Sequence, residues 1–330
     1  MINPKLKLNP KIGHQDIEQV PIRFGYGEGL LKAGEENKNV VALCADLTES
    51  TRTHLFAKKF PERFIQIGVA EQNLASVASG MAAMGKIPFI TSYAMFSPGR
   101  NWEQIRTTIA YNNVPVKIAG SHAGVSVGPD GGTHQALEDI AITRVIPRMV
   151  VISPCDSIEA KKATIAVSKT KDPSYIRLAR EKTPVITTEE TPFEIGKAQT
   201  LFSPDGKLDA TIIATGSLVY RAILVAQSLS KGKINVAVIN LSTIKPLDEK
   251  TILESVKRSN AVVTVEEHQI FGGMGSAVSE MLSVKYPVPI EFIGMKDLFG
   301  QSGKPDELIK FYEMDERSIE RAVIKVISRK

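Results

Sequence analysis

Two of the chain's five histidines, His122 and His134, bracket Asp130 in the stretch SHAGVSVGPDGGTHQALE at 121–138. Imidazole is the side chain best able to move protons near neutral pH. Gly124, Gly128, Gly131 and Gly132 would let the backbone come close to a ligand. The stretch follows an apolar run, VPVKIAG at 114–120, that reads as a strand. Ligand-binding groups in open α/β sheets lie at the carboxyl ends of strands. The plainer reading is a turn at Asp130, a helix from near Thr133 with His134 over its N-terminus, and a surface His122. Convergence of these groups in one loop favours a site.

A second chemical group ends another apolar run. In FIQIGVAEQN (64–73) the hydrophobic stretch breaks at Gly68, and Glu71 stands where a helical pattern begins. A carboxylate in a first helical turn complements the helix dipole by about 0.3–1 kcal/mol, which alone could explain it. The helix it opens, EQNLASVASGMAAMG, is small on nearly every face, with Ala75, Ser76, Ala78, Ser79, Gly80, Ala82 and Ala83. Such a helix suits an inter-domain or inter-subunit contact. Glu71 would then be partly desolvated and able to exchange a proton with a ligand nitrogen. The segment TSYAMFSPGRNWEQIR (91–106) adds Tyr93 and Phe96, with Trp102 beyond. These are either core aromatics or a flat platform for a heteroaromatic ring beside Glu71.

The elements that must hold these groups follow from hydrophobic patterning. NVVALCADL (39–47), FIQIGVA (64–70), IPFITS (87–92), VPVKIAG (114–120) and MVVISP (149–154) read as strands buried on both faces, because they lack polar alternation. Helical patterns at 24–36, 71–85, 100–112, 134–145 and 157–169 alternate with them, which predicts a doubly wound α/β domain over 20–183. Two prolines and a Thr/Glu run in KTPVITTEETPFEI (182–195) mark a linker. A second set follows, with strands at 210–217, 234–242, 260–267 and 290–295. Helices near 217–230, 248–258, 273–284 and 316–328 complete a smaller α/β domain over 195–330. The glycines of GYGEGL (25–30), ATGS (214–217) and FGGMGSA (271–277) lack G-x-G-x-x-G spacing or context, so they read as turn glycines and not as a nucleotide site.

Composition narrows the function classes. The chain has 330 residues, 43% hydrophobic and 23% charged, with a net charge of +5. Its Lys and Arg residues form no aromatic-interleaved stripe, which speaks against nucleic acid and suits a small anionic substrate. The two cysteines, Cys44 and Cys155, lie far apart outside any CxxC spacing, so two buried thiols in a reducing cytosol are expected. The polar N-terminus has no apolar core of a signal peptide. No apolar run nears the roughly 20 residues of a membrane helix, and a cytoplasmic protein is expected.

Taken together, these residues resemble the C-terminal half of transketolase, a thiamine diphosphate enzyme, from about Arg23 to the end of the chain. GVAEQN is similar to the strand–helix junction bearing the family's catalytic Glu, and SYAMF to the aromatic segment that holds the aminopyrimidine ring. SHAGVSVGPDGGTHQALED resembles the substrate loop, and VEEHQIFGGMGSAVSE a signature of the small C-terminal domain. The resemblance implies reversible transfer of a two-carbon ketol unit from a ketose phosphate to an aldose phosphate, by way of a thiamine diphosphate carbanion, within the pentose phosphate pathway. It assigns Glu71 to the pyrimidine nitrogen, Phe96 and Tyr93 to stacking, and catalytic His134 with Asp130 to the donor hydroxyls. It assigns His122, Arg23, Ser50 and Arg180 to the sugar phosphate, with Arg177 as the alternative to Arg180. Pro129 stands where many relatives have Glu, which leaves the placement of Asp130 open.

The family's Gly-Asp-Gly segment, which holds Mg²⁺ or Ca²⁺ and the diphosphate, has no counterpart in this sequence. The resemblance therefore implies a split transketolase, a heterotetramer in which a separate N-terminal subunit supplies the metal site and only the aminopyrimidine end of the cofactor is held here. The β subunit of a 2-oxo acid dehydrogenase E1 component and deoxyxylulose-phosphate synthase are the related alternatives. A non-catalytic partner that keeps the fold is a further one.

Overall fold

The computed structural model describes all residues from Met1 to Lys330. The apolar runs become strands that are buried throughout, as at Val40–Cys44, Lys117–Ser121 and Ala210–Ala214. The first sheet has seven strands in the order Thr243–Lys245, Val150–Ile152, Ser174–Leu178, Lys117–Ser121, Ile87–Tyr93, Val40–Cys44, Phe64–Gln66. All neighbours are parallel except Thr243–Lys245, which runs antiparallel to Val150–Ile152. That edge strand comes from the second half of the chain, so the second domain closes an edge of the first sheet that would otherwise expose unpaired backbone.

The second sheet has five strands in the order Ile290–Met295, Val262–Gln269, Ala210–Ala214, Val236–Asn240, Gln199–Phe202, with only Gln199–Phe202 antiparallel. The two halves also share apolar cores. Val125, Leu137, Cys155 and Ile186 pack into a cluster built mainly from the second sheet and its helices. The linker is pinned rather than loose: the amides of Ile186 and Thr187 and the Thr187 hydroxyl all donate to the buried carboxylate of Asp156. The same carboxylate caps helix Ser157–Ser168 through the Glu159 amide. The N-terminal segment lies on the second sheet, where Asn3 N–H donates to Leu201 O at 2.9 Å.

Several local expectations change. The strand expected over 64–70 ends at Gln66, because Gly68 takes φ +81° and turns the chain into helix Glu71–Ala83. GYGEGL lies in the middle of helix Ile22–Glu36, as the helical pattern over 24–36 predicts, so its glycines serve packing and not a turn. Its glycines let that helix press on Ser157–Ser168: a Cβ on Gly25 would fall 1.7 Å from Ser157 O, and one on Gly29 2.7 Å from Lys161 O. The helix expected over 100–112 starts at Trp102 and is π-helical over Ile105–Tyr111, where Thr108 O accepts a hydrogen bond from Ser79. Strands Ser174–Leu178, Gln199–Phe202 and Thr243–Lys245 and helices His54–Lys59 and Pro305–Phe311 are additions to the sequence reading. No helix is long and apolar enough to cross a membrane.

Candidate active site at the strand ends

Parallel register places the chemical groups along one edge. Cys44 pairs with Gln66 on one side and Thr91 on the other, Tyr93 with Ser121, and Ser121 with Leu178. Each of those strands therefore ends at the same level. The chain just beyond these ends carries Ser50, Glu71, Phe96, His122 and Arg180, with Tyr93 as the last residue of its strand. Arg23 joins from the start of helix Ile22–Glu36, its Nε donating to Arg180 O at 3.3 Å and its Nη1 to Ser50 O.

Glu71 is only 1% exposed although it opens a helix. Its Oε2 lies 2.7 Å from Nη1 of Arg100, a side chain that is itself half exposed. Asn101 fixes the backbone beside it, donating from Nδ2 to Glu71 O at 2.9 Å and to Ser97 Oγ at 3.2 Å. Arg100 was absent from the sequence reading. The available signal was its place in SYAMFSPGRNW, directly after a strand expected beside Glu71.

The aromatic platform is a cluster of four rings. Tyr93 stacks on His122 with centroids 3.9 Å apart and on Phe96 at 6.4 Å, while His134 meets the Phe96 ring edge-on at 5.3 Å. The Arg100 guanidinium carbon stands 5.1 Å from the Phe96 centroid. His122 is not the surface residue of the plain reading: it is 2% exposed, with φ +57° and Nδ1 2.8 Å from Ser121 Oγ. Burial first, then the charges of Arg23 and Arg180, push its imidazole down to about 3, so it is neutral at pH 7.

The expected helix from Thr133 does not form; a helix starts only at Asp139. Residues 125–130 make a 3₁₀ turn broken at Gly128, and the Gln135 side chain ties the loop together by donating to Val125 O and Gln301 O. Asp130 is exposed at the end of that turn, and half-buried His134 has its Nδ1 3.0 Å from Thr133 Oγ1.

The basic residues divide. Arg23 and Arg180 are both partly exposed and point donors at neutral carbonyls, Arg180 Nη1 reaching Val127 O at 2.6 Å. Glu181, 3.3 Å from Arg180, is the one carboxylate paired with either. Burial, then the neighbouring Arg180, lowers the Arg23 guanidinium from its usual range. Two facing guanidiniums with one partly exposed counter-charge make an anion-attracting corner. Arg177 is different. It is 6% exposed, with Nε 2.8 Å from buried Asp139 and Nη2 donating to Glu267 O at 2.8 Å and Ala136 O at 3.3 Å. It joins the two domains.

The VEEHQ segment also does more than mark the second domain. Glu267, 2% exposed, accepts from Ser126 N at 2.5 Å and Ser217 Oγ at 2.8 Å, gripping the loop that carries Asp130. A Cβ on Gly124 would lie 2.3 Å from its Oε1. Glu266 accepts from the amides of Met274 and Gly275, and burial still raises its carboxyl to about 7. His268 is a neutral core histidine, its ring bonded to Gln269 O at 2.7 Å and to the Ala141 amide at 3.4 Å. A cavity of about 230 Å³ lies at this seam, lined by Ser126, Glu181, Ser217, Arg221 and Glu267, away from the open face of Glu71 and Phe96.

Comparison with known proteins agrees with this geometry. The family model "Transketolase, pyrimidine binding domain" matches residues 18–185, and "Transketolase, C-terminal domain" matches 196–319. A Methanocaldococcus jannaschii protein provisionally named a transketolase C-terminal section is 45% identical, over 93% of this chain and 96% of its own length. A 6-deoxy-6-sulfo-D-fructose transketolase subunit of a Clostridium species is 38% identical over 95% and 97%. A solved structure described as a split gene transketolase in an inactive beta4 tetramer superposes with a TM-score of 0.87 at 41% identity, covering 94% of this chain and 99% of its own.

Proposed function

The chain belongs to the transketolase family, and from that premise we propose that it holds the aminopyrimidine end of thiamine diphosphate while a separate subunit holds the diphosphate through Mg²⁺ or Ca²⁺. It is a transketolase subunit, a transferase acting on sugar phosphates. When bound, thiamine diphosphate supplies the carbon nucleophile that carries a two-carbon ketol unit from a ketose phosphate to an aldose phosphate. The observation that carries the reading is Glu71, a buried carboxylate at a strand end, linked to the half-buried ring of Phe96 through the Arg100 guanidinium that meets both. A buried acceptor beside a flat apolar face fits a protonatable heteroaromatic ring in both of its requirements.

The residues of this chain take separable tasks. Glu71 holds a proton at the pyrimidine nitrogen, and Phe96, backed by Tyr93, orients the ring. His134 and Asp130 hydrogen-bond the donor hydroxyls, His134 moving the proton there. Arg23 and Arg180 pair with the phosphate, joined by Ser50 and by His122, which as a neutral imidazole offers a hydrogen bond and no charge. The two subunits assemble as a heterotetramer in the cytoplasm, in pentose phosphate metabolism.

The test mixes the chain with its partner subunit, thiamine diphosphate, Mg²⁺, a ketose phosphate and an aldose phosphate. Two-carbon transfer is expected, and Glu71→Ala should lower kcat by roughly 10²–10⁴-fold, the range of a lost acid–base group. Absence of transfer with the partner present, or full rate in Glu71→Ala, rejects the assignment.

A further inference from the structure

The side chain of Arg100 occupies both features that the pyrimidine reading needs free. Its guanidinium is ion-paired to Glu71 at 2.7 Å and stands 5.1 Å from the centroid of Phe96. We propose that Arg100 is a latch on the cofactor site: it neutralises Glu71 and covers Phe96 while the site is empty, and the aminopyrimidine must displace it. This rests on the proposed role of Glu71.

A carboxylate that is 1% exposed cannot be left without a compensating partner at small cost. Arg100 is the one cation paired with it, and no hydrogen bond to any other acceptor holds that guanidinium. Its head is 49% exposed, so it can rotate into water without crossing packed structure. The backbone beneath does not need to move. Arg100 N–H donates to Phe96 O at 2.9 Å, and Asn101 is fastened to Glu71 O and Ser97 Oγ. Release is therefore a side-chain rotation over a rigid loop, and the ligand nitrogen takes over as the partner of the carboxylate. A closed latch taxes the apparent affinity in proportion to the fraction of time the site is covered.

The experiment is a calorimetric titration of thiamine diphosphate, with Mg²⁺ present, into the complex of this chain with its partner subunit. Arg100→Met, which removes the charge at similar length, should tighten the dissociation constant by about fivefold, the scale of a half-exposed ion pair. Arg100→Lys keeps the charge and should stay within about twofold of wild type on the same scale. Arg100→Gln serves where Arg100→Met fails to fold, with a smaller gain. Unchanged or weaker binding in the charge-free variants, with wild type binding normally, overturns the latch and leaves the role of Glu71 standing. No binding by the wild-type complex overturns both.

Discussion

Replacing Arg177 and Arg180 separately by Met distinguishes a residue that holds the domains together from one proposed to face substrate. Arg177→Met would leave the buried Asp139 carboxylate with only the Tyr175 hydroxyl at 2.6 Å, and would strip a donor from the carbonyls of Ala136 and Glu267. Breaking a buried ion pair on one side costs about 3–5 kcal/mol. Because Glu267 also grips Ser126, the loss should loosen the seam between domains. Arg180→Met removes one hydrogen bond from a partly exposed side chain, so its stability cost should stay within about 1 kcal/mol. The charge-assisted bond to phosphate proposed for it would be worth about 1.5–3 kcal/mol, so the KM for the ketose phosphate should rise roughly 10- to 150-fold. Urea unfolding of the isolated chain, followed by circular dichroism, reads the first effect. Initial rates in the reconstituted complex read the second. Wild-type unfolding of Arg177→Met, or a raised KM in folded Arg177→Met and not in Arg180→Met, would overturn this division of roles.

Two further substitutions probe the buried acids and the loop. Glu159 accepts from Cys155 N and Asn240 Nδ2, and burial, then the nearby Asp156 charge, raises its carboxyl to about 7 from the usual 4.5. A raised carboxyl stabilises the fold below pH 4.5 and loses that contribution as pH rises through 7, by about 3 kcal/mol in all. Relative to wild type, Glu159→Gln should therefore gain stability by about that amount between those limits; a pH-independent difference in denaturation midpoints would contradict this. Gly124→Ala puts a Cβ 2.3 Å from Glu267 Oε1 at φ +90°. It should cost at least about 2 kcal/mol in thermal unfolding and raise the donor KM, because the loop it displaces carries Asp130.

Most of the frame was readable in advance where a local signal existed. Val40–Cys44 is a continuous apolar run and Ala210–Ala214 is apolar but for Thr211, a pattern that suits burial on both faces of a parallel sheet. Glu71 after a glycine break, and two histidines with an aspartate in a glycine-rich loop, were readable because they sit at strand ends. Ser174–Leu178 was missed because its polar Arg177 interrupts the apolar pattern. That charge is tolerated through Asp139 and through the carbonyls of Ala136 and, in the other domain, Glu267. Thr243–Lys245 was missed because three residues at a sheet edge carry no periodicity. The start of helix Asp139–Arg144 was misplaced because Gln135 satisfies the carbonyls of a loop that local propensity alone would have ended sooner.

By itself, then, the sequence determined which residue types are available for the proposed proton transfer, ring stacking and phosphate binding, and that two α/β units carry them. Those properties follow from side-chain chemistry and from hydrophobic period, which are local. Tertiary structure decided which of the candidates meet. It turned Arg177 into a strut and left Arg180 at the edge, buried His122 in neutral form, and set Arg100 on Glu71. Charge pairing and desolvation depend on neighbours far along the chain, and only parallel strand register brings those neighbours to one edge.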